Sequence, residues 1–501
     1  MDRSGTACFL FLCLRKSSGM KANKTHFCNK WLAISAVCLP ILLSFIVLNP
    51  GIPLGEPGVW VWQRILPFHP DLTGILGCGL FFAIGGAAAW KLDRNSEQKH
   101  RLLLAAVIML CGIGADRIIL TSGRAGLAEN ALAVLNPFTT GYLQPEQSTG
   151  AITRNFVKDI LTVPQGEVPH HRHVHPPANF YLAALVQRLP GKWGEALLPD
   201  ARRELCLLQK ANGLIPPLDT PEMMEAALKM TVIFWIALEL GKFLLAWILW
   251  RIPGVRGRGI ALLTAAMGSN GAILFLGHYD TFYFLITSLL LFVLFYALRK
   301  PHLAVGAGIL TGCGGLFTLG FGAPGGVAAG VLLTGPRPEQ RWKTVGYFAG
   351  TGIVMAILLQ LCGIHIFAIA FKCWENQQLF QQMSGRSYFF WCGLNVLDAL
   401  LFCGVLPVLA LLIPPGGRGR GFKMWFCALF FWLFILFSGG ARGEFGRLAI
   451  VYLPILLLSA GIRLGRVADN KQLWLWYFAA IGLMLWQTAL LRNTLKLVLI
   501  D

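Results

Sequence analysis

Charge is scarce in this sequence, since Asp, Glu, Lys and Arg together make up 13% of its 501 residues. Soluble proteins carry about 25% charged residues, so the composition excludes an ordinary soluble enzyme. Hydrophobic residues account for 55%, and apolar runs long enough to cross a bilayer recur along the chain. We therefore predict an all-α polytopic membrane protein with about 13 transmembrane helices. Clear examples of such runs are residues 31–48, 102–120, 227–250, 282–298 and 473–491.

Several motifs that mark enzyme classes are also absent. The 13 cysteines include no Cys-x-x-Cys pair, which excludes a zinc ribbon and a thioredoxin-like site. The sequence has no Walker motif, no Gly-x-Ser-x-Gly and no His-Glu-x-x-His. Its Gly-rich stretch, residues 306–335, is apolar and follows no strand, which favours close helix packing over phosphate binding.

Acidic residues are few, so the 43 Lys and Arg against 24 Asp and Glu give a net charge of +19. The basic residues concentrate in short links between apolar runs, as cytoplasmic loops do, and this pattern does not predict nucleic-acid binding. We interpret residues 1–30 as a cytoplasmic amino-terminal segment, within which Met20 is an alternative start, and residues 31–501 as a single integral membrane domain. The basic links are residues 21–30, 91–101, 251–258, 299–300, 337–343, 418–423 and 463–471.

One long segment, residues 121–226, does not read as membrane-spanning and is the predicted main extracytoplasmic loop. Apolar residues at helical spacing in 152–161 and the short apolar run 180–189 predict amphipathic helices lying on the membrane. Near the centre of this loop is the run His-His-Arg-His-Val-His-Pro-Pro, residues 170–177. Because polar groups are costly in a bilayer, this run indicates a water-facing chemical site.

A metal centre is a weaker alternative for the histidine run. His171, His173 and His175 alternate and would share one face of an extended segment. However, the run contains no carboxylate or cysteine, the other common ligands. We therefore predict no metal site and no certain cofactor, with a divalent metal as the alternative.

Charged residues within the apolar runs are also candidates for function, because their insertion is costly. Asp116 lies near the outer end of the third run, beside Arg117, where the alternative is an ion pair that marks the membrane interface. Glu239 and Lys242 are three residues apart in one run, so they can meet on one helix face. We interpret those two as a buried structural pair.

These features resemble the GT-C superfamily of membrane glycosyltransferases, which includes the protein O-mannosyltransferases and the aminoarabinose transferase of lipid A. An acid near the outer end of an early span, Asp116, is followed by a long outer loop that closes at His175-Pro176-Pro177. Thr140-Gly141-Tyr142, Gly277-His278-Tyr279-Asp280 and Gly443-Glu444-Phe445-Gly446-Arg447 are further points of similarity, and the resemblance covers residues 116–454.

The resemblance implies an inverting transferase that takes sugar from a polyprenyl-phosphate donor, outside a bacterial inner membrane, without nucleic acid. Asp116 would be the catalytic base, which deprotonates or orients the acceptor hydroxyl. Many such enzymes instead have a paired acid after the first span, so Glu56 and Asp280 are rivals. The donor phosphate would contact four basic residues, which are His175, His278, Arg442 and Arg447.

Two other functions remain open on the same sequence. A transporter or lipid flippase would favour mid-membrane charges, broken helices and internal repeats, and we find only the Glu239/Lys242 pair and no convincing repeat. A polysaccharide ligase or polymerase would also use Arg and His groups on outer loops. The sequence predicts neither the sugar and its acceptor nor the oligomeric state.

Overall fold

The structure is a computed structural model. It describes residues 19–57, 59–65, 71–94, 97–122, 126–135, 142–143, 175–212, 220–335, 338–415, 420–440, 442 and 445–496. Two sequence predictions lie outside these residues. They are the amphipathic helix at 152–161 and the histidines that precede His175.

The first half of the described chain contains one small hairpin, and its other regular elements are helices. These elements are α1 (Gly19–Leu48), β1 (Gly55–Glu56), β2 (Trp60–Val61), α2 (Leu72–Arg94), α3 (Arg101–Thr121), α4 (Gly126–Leu135), α5 (Ala178–Gln187), α6 (Trp193–Leu197), α7 (Pro199–Asn212) and α8 (Pro221–Arg251). The two strands pair antiparallel, with Glu56 opposite Trp60. Helix α5 confirms that the apolar run after Pro177 forms a short helix.

The regular elements of the described second half are all helices. Its α-helices are α9 (Arg258–Met267), α10 (Asn270–Leu274), α11 (Asp280–Ala297), α12 (Ala304–Phe317), α13 (Gly322–Thr334), α14 (Pro338–Leu361), α15 (Ile366–Met383), α16 (Tyr388–Asp398), α17 (Val405–Leu412), α18 (Arg420–Phe437), α19 (Phe445–Leu448), α20 (Leu453–Val467) and α21 (Lys471–Thr494). A π-helical turn, Ala399–Cys403, joins α16 to α17.

The prediction of an all-α polytopic membrane protein is confirmed at this level. Within the described residues, 8 helices are long and apolar enough to cross a bilayer, or up to 10 if each bent pair forms one span. The bent pairs are α16–α17 with their π turn, at 117°, and α19–α20, at 71°. The count of about 13 remains a prediction.

The core is organised around α9, which packs against α2, α3, α8, α20 and α21. Every residue of α9 after Arg258 is buried. Its first free backbone amides, those of Gly259 and Ile260, donate to the carboxylate of Asp93 at 2.5 and 3.0 Å. A helix that has protein on all sides is apolar all round, which matches the sequence of α9.

The bundle has two distinguishable ends, which we name from their residues. At the basic end, Asp93 also accepts a hydrogen bond from Trp474, and Arg256 pairs with Asp469 at 3.0 Å. Asp93 lies in the last turn of α2 and Trp474 in the first turn of α21, whereas Arg256 lies between α8 and α9 and Asp469 between α20 and α21. These contacts therefore join the basic links that the charge pattern assigned to the cytoplasmic face of the membrane.

The opposite end, which we call the site end, contains the hairpin of the first loop. Glu56 in β1 accepts a hydrogen bond from Ser387 before α16, and Ile65 donates to the carbonyl of Thr494 at the end of α21. Helix α11 begins at this end with Asp280. Because α11 is a candidate span of 18 residues, its other end lies about 27 Å away.

Candidate functional site

The site end contains a buried ion pair between two residues that the sequence singled out. Arg447 Nε lies 3.3 Å from Asp280 Oδ2. Both residues are 7% exposed, so the pair is largely removed from water. Since opposite charges withdrawn from solvent attract each other more strongly than on a surface, the two side chains orient each other.

The turn between α10 and α11 fixes the position of the Asp280 carboxylate. After α10 the chain turns through Gly277 and His278, and Asp280 begins α11. The amide of Thr281 donates to the carbonyl of His278. An acid in the first turn of a helix interacts favourably with the helix dipole, so this position suits a carboxylate.

The bend between α19 and α20 fixes the position of the Arg447 guanidinium. Helix α19 is four residues long and is followed by a 3-10 turn and the bend into α20. The Thr287 hydroxyl on α11 donates to the carbonyl of Val451 at 2.7 Å, which satisfies a backbone group within the 3-10 turn. A Cβ on Gly446 would lie 2.2 Å from the Phe402 ring, so α19 packs closely on the π turn. These contacts hold the bend against α11.

Aromatic residues surround the ion pair and connect it to His175. The Tyr142 ring packs edge-on against Tyr279 at 4.7 Å, Phe180 at 5.1 Å and His175 at 6.1 Å between centroids. Tyr279 also contacts Phe234 of α8 at 5.2 Å. Two short pieces of the long loop, residues 142–143 and 175–180, thus pack on the residues that flank Asp280.

Burial raises the pKa of the Tyr142 phenol well above its usual value, and the negative charge of Asp280 acts in the same direction. Hydrogen bonding to Asn179 and the positive charge of Arg447 partly oppose this shift. The ring contact with Tyr279 places the phenol next to the residue that precedes Asp280. At neutral pH Tyr142 is an uncharged hydrogen-bonding group.

Asn179 and Tyr283 attach the long loop to the bundle, and sequence reasoning missed both. Asn179 Nδ2 donates to the Tyr283 hydroxyl at 2.8 Å, and that hydroxyl donates to the Phe317 carbonyl at 3.2 Å. Two signals were present in the sequence. Asn179 follows the Pro-Pro step by two residues, and Tyr283 lies three residues after Asp280 on the same helix face.

Of the predicted phosphate-binding residues, His278 and Arg447 lie with Asp280, and His175 lies beside Tyr142. The His278 ring is 4% exposed and packs edge-on against Phe275 at 5.8 Å. The structure thus brings His175, His278, Asp280 and Arg447 into one region through direct contacts and shared neighbours. We call these four residues with Tyr142 the Asp280 site.

Asp116 occupies a different environment. Its side chain is fully buried and forms an ion pair with Lys242 of α8. Lys242 Nζ also lies 3.5 Å from Glu239 Oε1, which confirms the interpretation of Glu239 and Lys242 as a buried pair and adds Asp116 to it. Arg117 is exposed. The contacts described for Asp116 do not include the Asp280 site.

Glu56 stabilises the start of α16 through hydrogen bonds. Its Oε2 accepts hydrogen bonds from the Ser387 amide at 3.2 Å and from Trp391 Nε1 at 2.8 Å. A carboxylate that accepts a free amide at a helix start stabilises that helix. This contact gives the first-loop acid a structural role.

Arg442 contacts the segment between α15 and α16. Its Nη1 donates to the Arg386 carbonyl at 2.9 Å, and Arg386 donates to the Arg442 carbonyl in return. Its guanidinium lies 5.4 Å from the centroid of the Tyr388 ring. The described contacts of Arg442 therefore fix the loop before α19 and do not join it to Asp280.

For the metal alternative, the described part of the chain contains no group of three or more His, Cys, Asp or Glu residues arranged to hold an ion. His171 and His173 lie outside the described residues. Comparison with known proteins gave no match to a family model, a curated protein or a solved structure. The chemistry of the Asp280 site must therefore be inferred from its geometry.

Proposed function

We propose that this protein is a membrane glycosyltransferase that moves a sugar from a polyprenyl-phosphate donor to an acceptor at the site end. The buried Asp280–Arg447 pair, which Tyr279 and Tyr142 connect to the His175 end of the long loop, carries this proposal. It provides an acid and a phosphate-binding cation side by side. Transfer from a lipid phosphate requires both groups.

The proposal assigns the base to Asp280, one of the two rivals of Asp116. In the reaction, the acceptor hydroxyl oxygen forms a bond to the anomeric carbon of the sugar. The bond from that carbon to the phosphate oxygen breaks, and its electron pair stays on the phosphate. Asp280 takes the hydroxyl proton, while Arg447 stabilises the leaving phosphate through charge-assisted hydrogen bonds. Attack opposite the leaving group inverts the anomeric configuration.

The helix arrangement supports a GT-C-like topology. Helices α9 and α10 together run from the basic end to the site end, and the apolar helices Pro301–Phe317 and Leu319–Thr334 are nearly long enough to cross. If these three units cross as well as the long helices and bent pairs, the chain crosses about thirteen times. With the basic links in the cytoplasm, the Asp280 site would face outward from a bacterial inner membrane.

A lipid-linked donor needs an apolar surface at the site end, where Gln377 of α15 donates to the Gly440 carbonyl before α19 at 2.7 Å. Helices α14 and α15 expose such a surface. Ile353, Ile357 and Leu361 on α14 and Phe367 and Phe371 on α15 are all more than half exposed. Exposed apolar side chains on a spanning helix contact lipid rather than water. A polyprenyl chain could lie along this surface without leaving the bilayer.

The decisive experiment measures transfer by the purified full chain, with a panel of polyprenyl-phosphate-linked hexoses and pentoses. Release of polyprenyl phosphate is followed in the presence of membrane extract as the source of acceptors. Asp280→Asn keeps the size of the side chain and removes its charge, so transfer should fall roughly 10²-fold or more, as is typical when a general base is lost. Asp116→Asn is the matched comparison, and a larger loss there would return the assignment to Asp116.

Binding of polyprenyl phosphate tests the other half of the site. Arg447→Ala and His175→Ala should each weaken binding by about 1.5–3 kcal/mol, the value of a hydrogen bond to a charged group. Arg256→Ala, at the basic end, is the control and should bind normally. Failure of the parent protein to bind any polyprenyl phosphate would rule out a lipid-phosphate donor.

A transporter or flippase is the second candidate, and one observation favours it. Asp116, Lys242 and Glu239 form a buried charged group within two candidate spans. Ionisable groups in such positions often carry protons or ions in transporters. Lipid movement across proteoliposomes that persists in Asp280→Asn and is lost in Lys242→Met would favour this function.

A further inference from the structure

The basic end contains a cavity that the proposed reaction does not use. Its volume is about 350 Å³, and side chains of α8, α11, α13, α17, α18 and α20 form its walls. This volume is in the range of small-molecule sites, about 300–1,000 Å³. Most of the wall is aliphatic or aromatic, including Leu291, Phe295, Val331, Met424 and Leu458.

The cavity and the Asp280 site lie at opposite ends of the same helices. Helix α11 begins at Asp280, whereas Leu294, Phe295 and the following Leu298 line the cavity. Helix α20 follows Arg447 on the chain, and one face of it lines the cavity from Ile455 to Val467. The lining residue of α11 nearest to the Asp280 site is Leu291, which lies about 16 Å from Asp280 along the helix axis.

Two arginines of α20, Arg463 and Arg466, make one side of this apolar cavity positive. Arg463 Nη2 donates to the carbonyl of Ile413 at 2.6 Å, and Nη1 donates to the side-chain oxygen of Asn29 at 3.3 Å. Nη2 also donates to the Pro414 carbonyl at 3.2 Å. All three acceptors are neutral, so these hydrogen bonds hold the guanidinium in place, and none of these described contacts brings a negative charge to it. A fixed cation at the edge of an apolar cavity favours an anionic ligand.

The first turn of α18 strengthens this preference. Gly421 and Phe422, near its start, line the cavity, and that turn contains no acidic residue. The positive end of the helix dipole therefore faces the same space without a carboxylate to neutralise it. Pro415, Arg466 and Val467 are partly exposed, which leaves the cavity open at the basic end.

We propose that this cavity binds one anionic phospholipid from the membrane leaflet at the basic end. An acyl chain fills the apolar space between α11 and α18, and the headgroup phosphate contacts Arg463 and Arg466. Basic pockets between spanning helices on the cytoplasmic side commonly bind anionic headgroups. The bound lipid would join α20, and through it the bend beside Arg447, to α17 and α18. This site is independent of the proposed transfer reaction.

Native mass spectrometry of the full chain in a neutral detergent tests this proposal. Phosphatidylglycerol and phosphatidylcholine of identical acyl chains are the two probes. We expect one phosphatidylglycerol to bind with about tenfold or greater preference over phosphatidylcholine, which corresponds to one charge-assisted contact. Equal binding of the two lipids would overturn the proposal.

Three variants locate the bound lipid. Arg466→Gln should lower phosphatidylglycerol affinity about tenfold and leave phosphatidylcholine unchanged. Val331→Phe places a ring in the cavity and should abolish tight binding of either lipid. Arg256→Gln is the control, because Arg256 is an exposed arginine at the same end, with its side chain 77% exposed; it should bind like the parent. Loss of binding in Arg256→Gln equal to that in Arg466→Gln would show a diffuse electrostatic effect and refute a built site.

Competition identifies the chemical class of the ligand. Oleate carries a chain and a carboxylate but no phosphate. If oleate displaces phosphatidylglycerol at equal concentration, the site is one for fatty acids and the proposal fails. If phosphatidylglycerol resists oleate and requires Arg466, the phospholipid assignment holds. Transfer activity does not enter these measurements, so failure here leaves the proposed reaction untouched.

Discussion

Gly277 lies directly against the backbone of Asn130, so closely that a Cβ on Gly277 would be 2.2 Å from the Asn130 carbonyl oxygen. A backbone carbonyl cannot rotate away as a side chain does, so α4 and the turn before Asp280 can approach this closely only with glycine at this position. Asn130 is in turn hydrogen-bonded by Arg492 of α21 at 3.1 Å. The turn that presents His278 and Asp280 is therefore positioned by its contact with α4, which α21 holds in turn through Arg492.

Gly277→Ala should displace this turn and destabilise the protein by about 1–3 kcal/mol, the usual cost of overpacking. Thermal unfolding in detergent measures this change. Gly315→Ala is the matched control, because a Cβ at Gly315 meets nothing within 4 Å. Equal stability of the two variants would contradict the close approach of α4.

Lys242→Met should cost about 3–5 kcal/mol, because it leaves the buried carboxylate of Asp116 without its partner. In the double variant Asp116→Asn/Lys242→Met the fully buried carboxylate is neutral, and Glu239 keeps its hydrogen bond from Trp235, so much of the stability should return. A double-mutant cycle of unfolding free energies measures the coupling. Additive effects of the two changes would show that the pair does not form.

Glu56→Ala should lower stability by about 0.5–2 kcal/mol, the usual cost of losing a helix cap. Sugar transfer should persist once the protein is folded, because Glu56 contacts Ser387 and Trp391 rather than the Asp280 site. Glu97→Ala removes a carboxylate that is 66% exposed and is the control for stability. A complete loss of transfer in folded Glu56→Ala protein would make Glu56 the base.

Tyr142 should make folding sensitive to alkaline pH. Burial and Asp280 raise the pKa of its phenol in the folded protein, whereas the unfolded chain loses that proton near pH 10. Stability from this group is complete below pH 10 and falls as the pH rises further, because only the unfolded state releases the proton. Tyr142→Phe should flatten this part of the stability profile. If the slope of the unfolding free energy against pH is unchanged in Tyr142→Phe, the Tyr142 phenol is exposed to water in the folded protein.

Hydropathy located the long spans well, because each must bury about 20 apolar residues whatever its neighbours are. The run predicted at 227–250 lies within α8, Pro221–Arg251, and that predicted at 473–491 lies within α21, Lys471–Thr494. Helix α9 was harder to delimit. Its 10 residues are followed by a break at Gly268, and a short apolar run does not reveal where a broken helix bends.

The candidate site was only partly accessible to sequence reasoning. The predicted topology places Asp280, Arg447 and His175 together, because each lies near a helix end on the predicted outer face of the membrane. The partner of Asp116 could not be read from its neighbours, because Lys242 is distant along the chain while Arg117 is adjacent and exposed. Choosing between acids depends on such long-range contacts, which one sequence does not encode in any local pattern.

Helix α9 has a consequence for how the protein assembles. Its length is about 15 Å, half of the hydrocarbon thickness of about 30 Å, and its buried surface contacts helices that come both before and after it on the chain. It cannot be stable in lipid by itself, so α2, α3 and α8 must form its first binding surface. Helices α20 and α21, the last helices of the described chain, cover the rest of the α9 surface. Early release of a truncated chain should therefore leave α9 half covered and exposed to quality-control proteases.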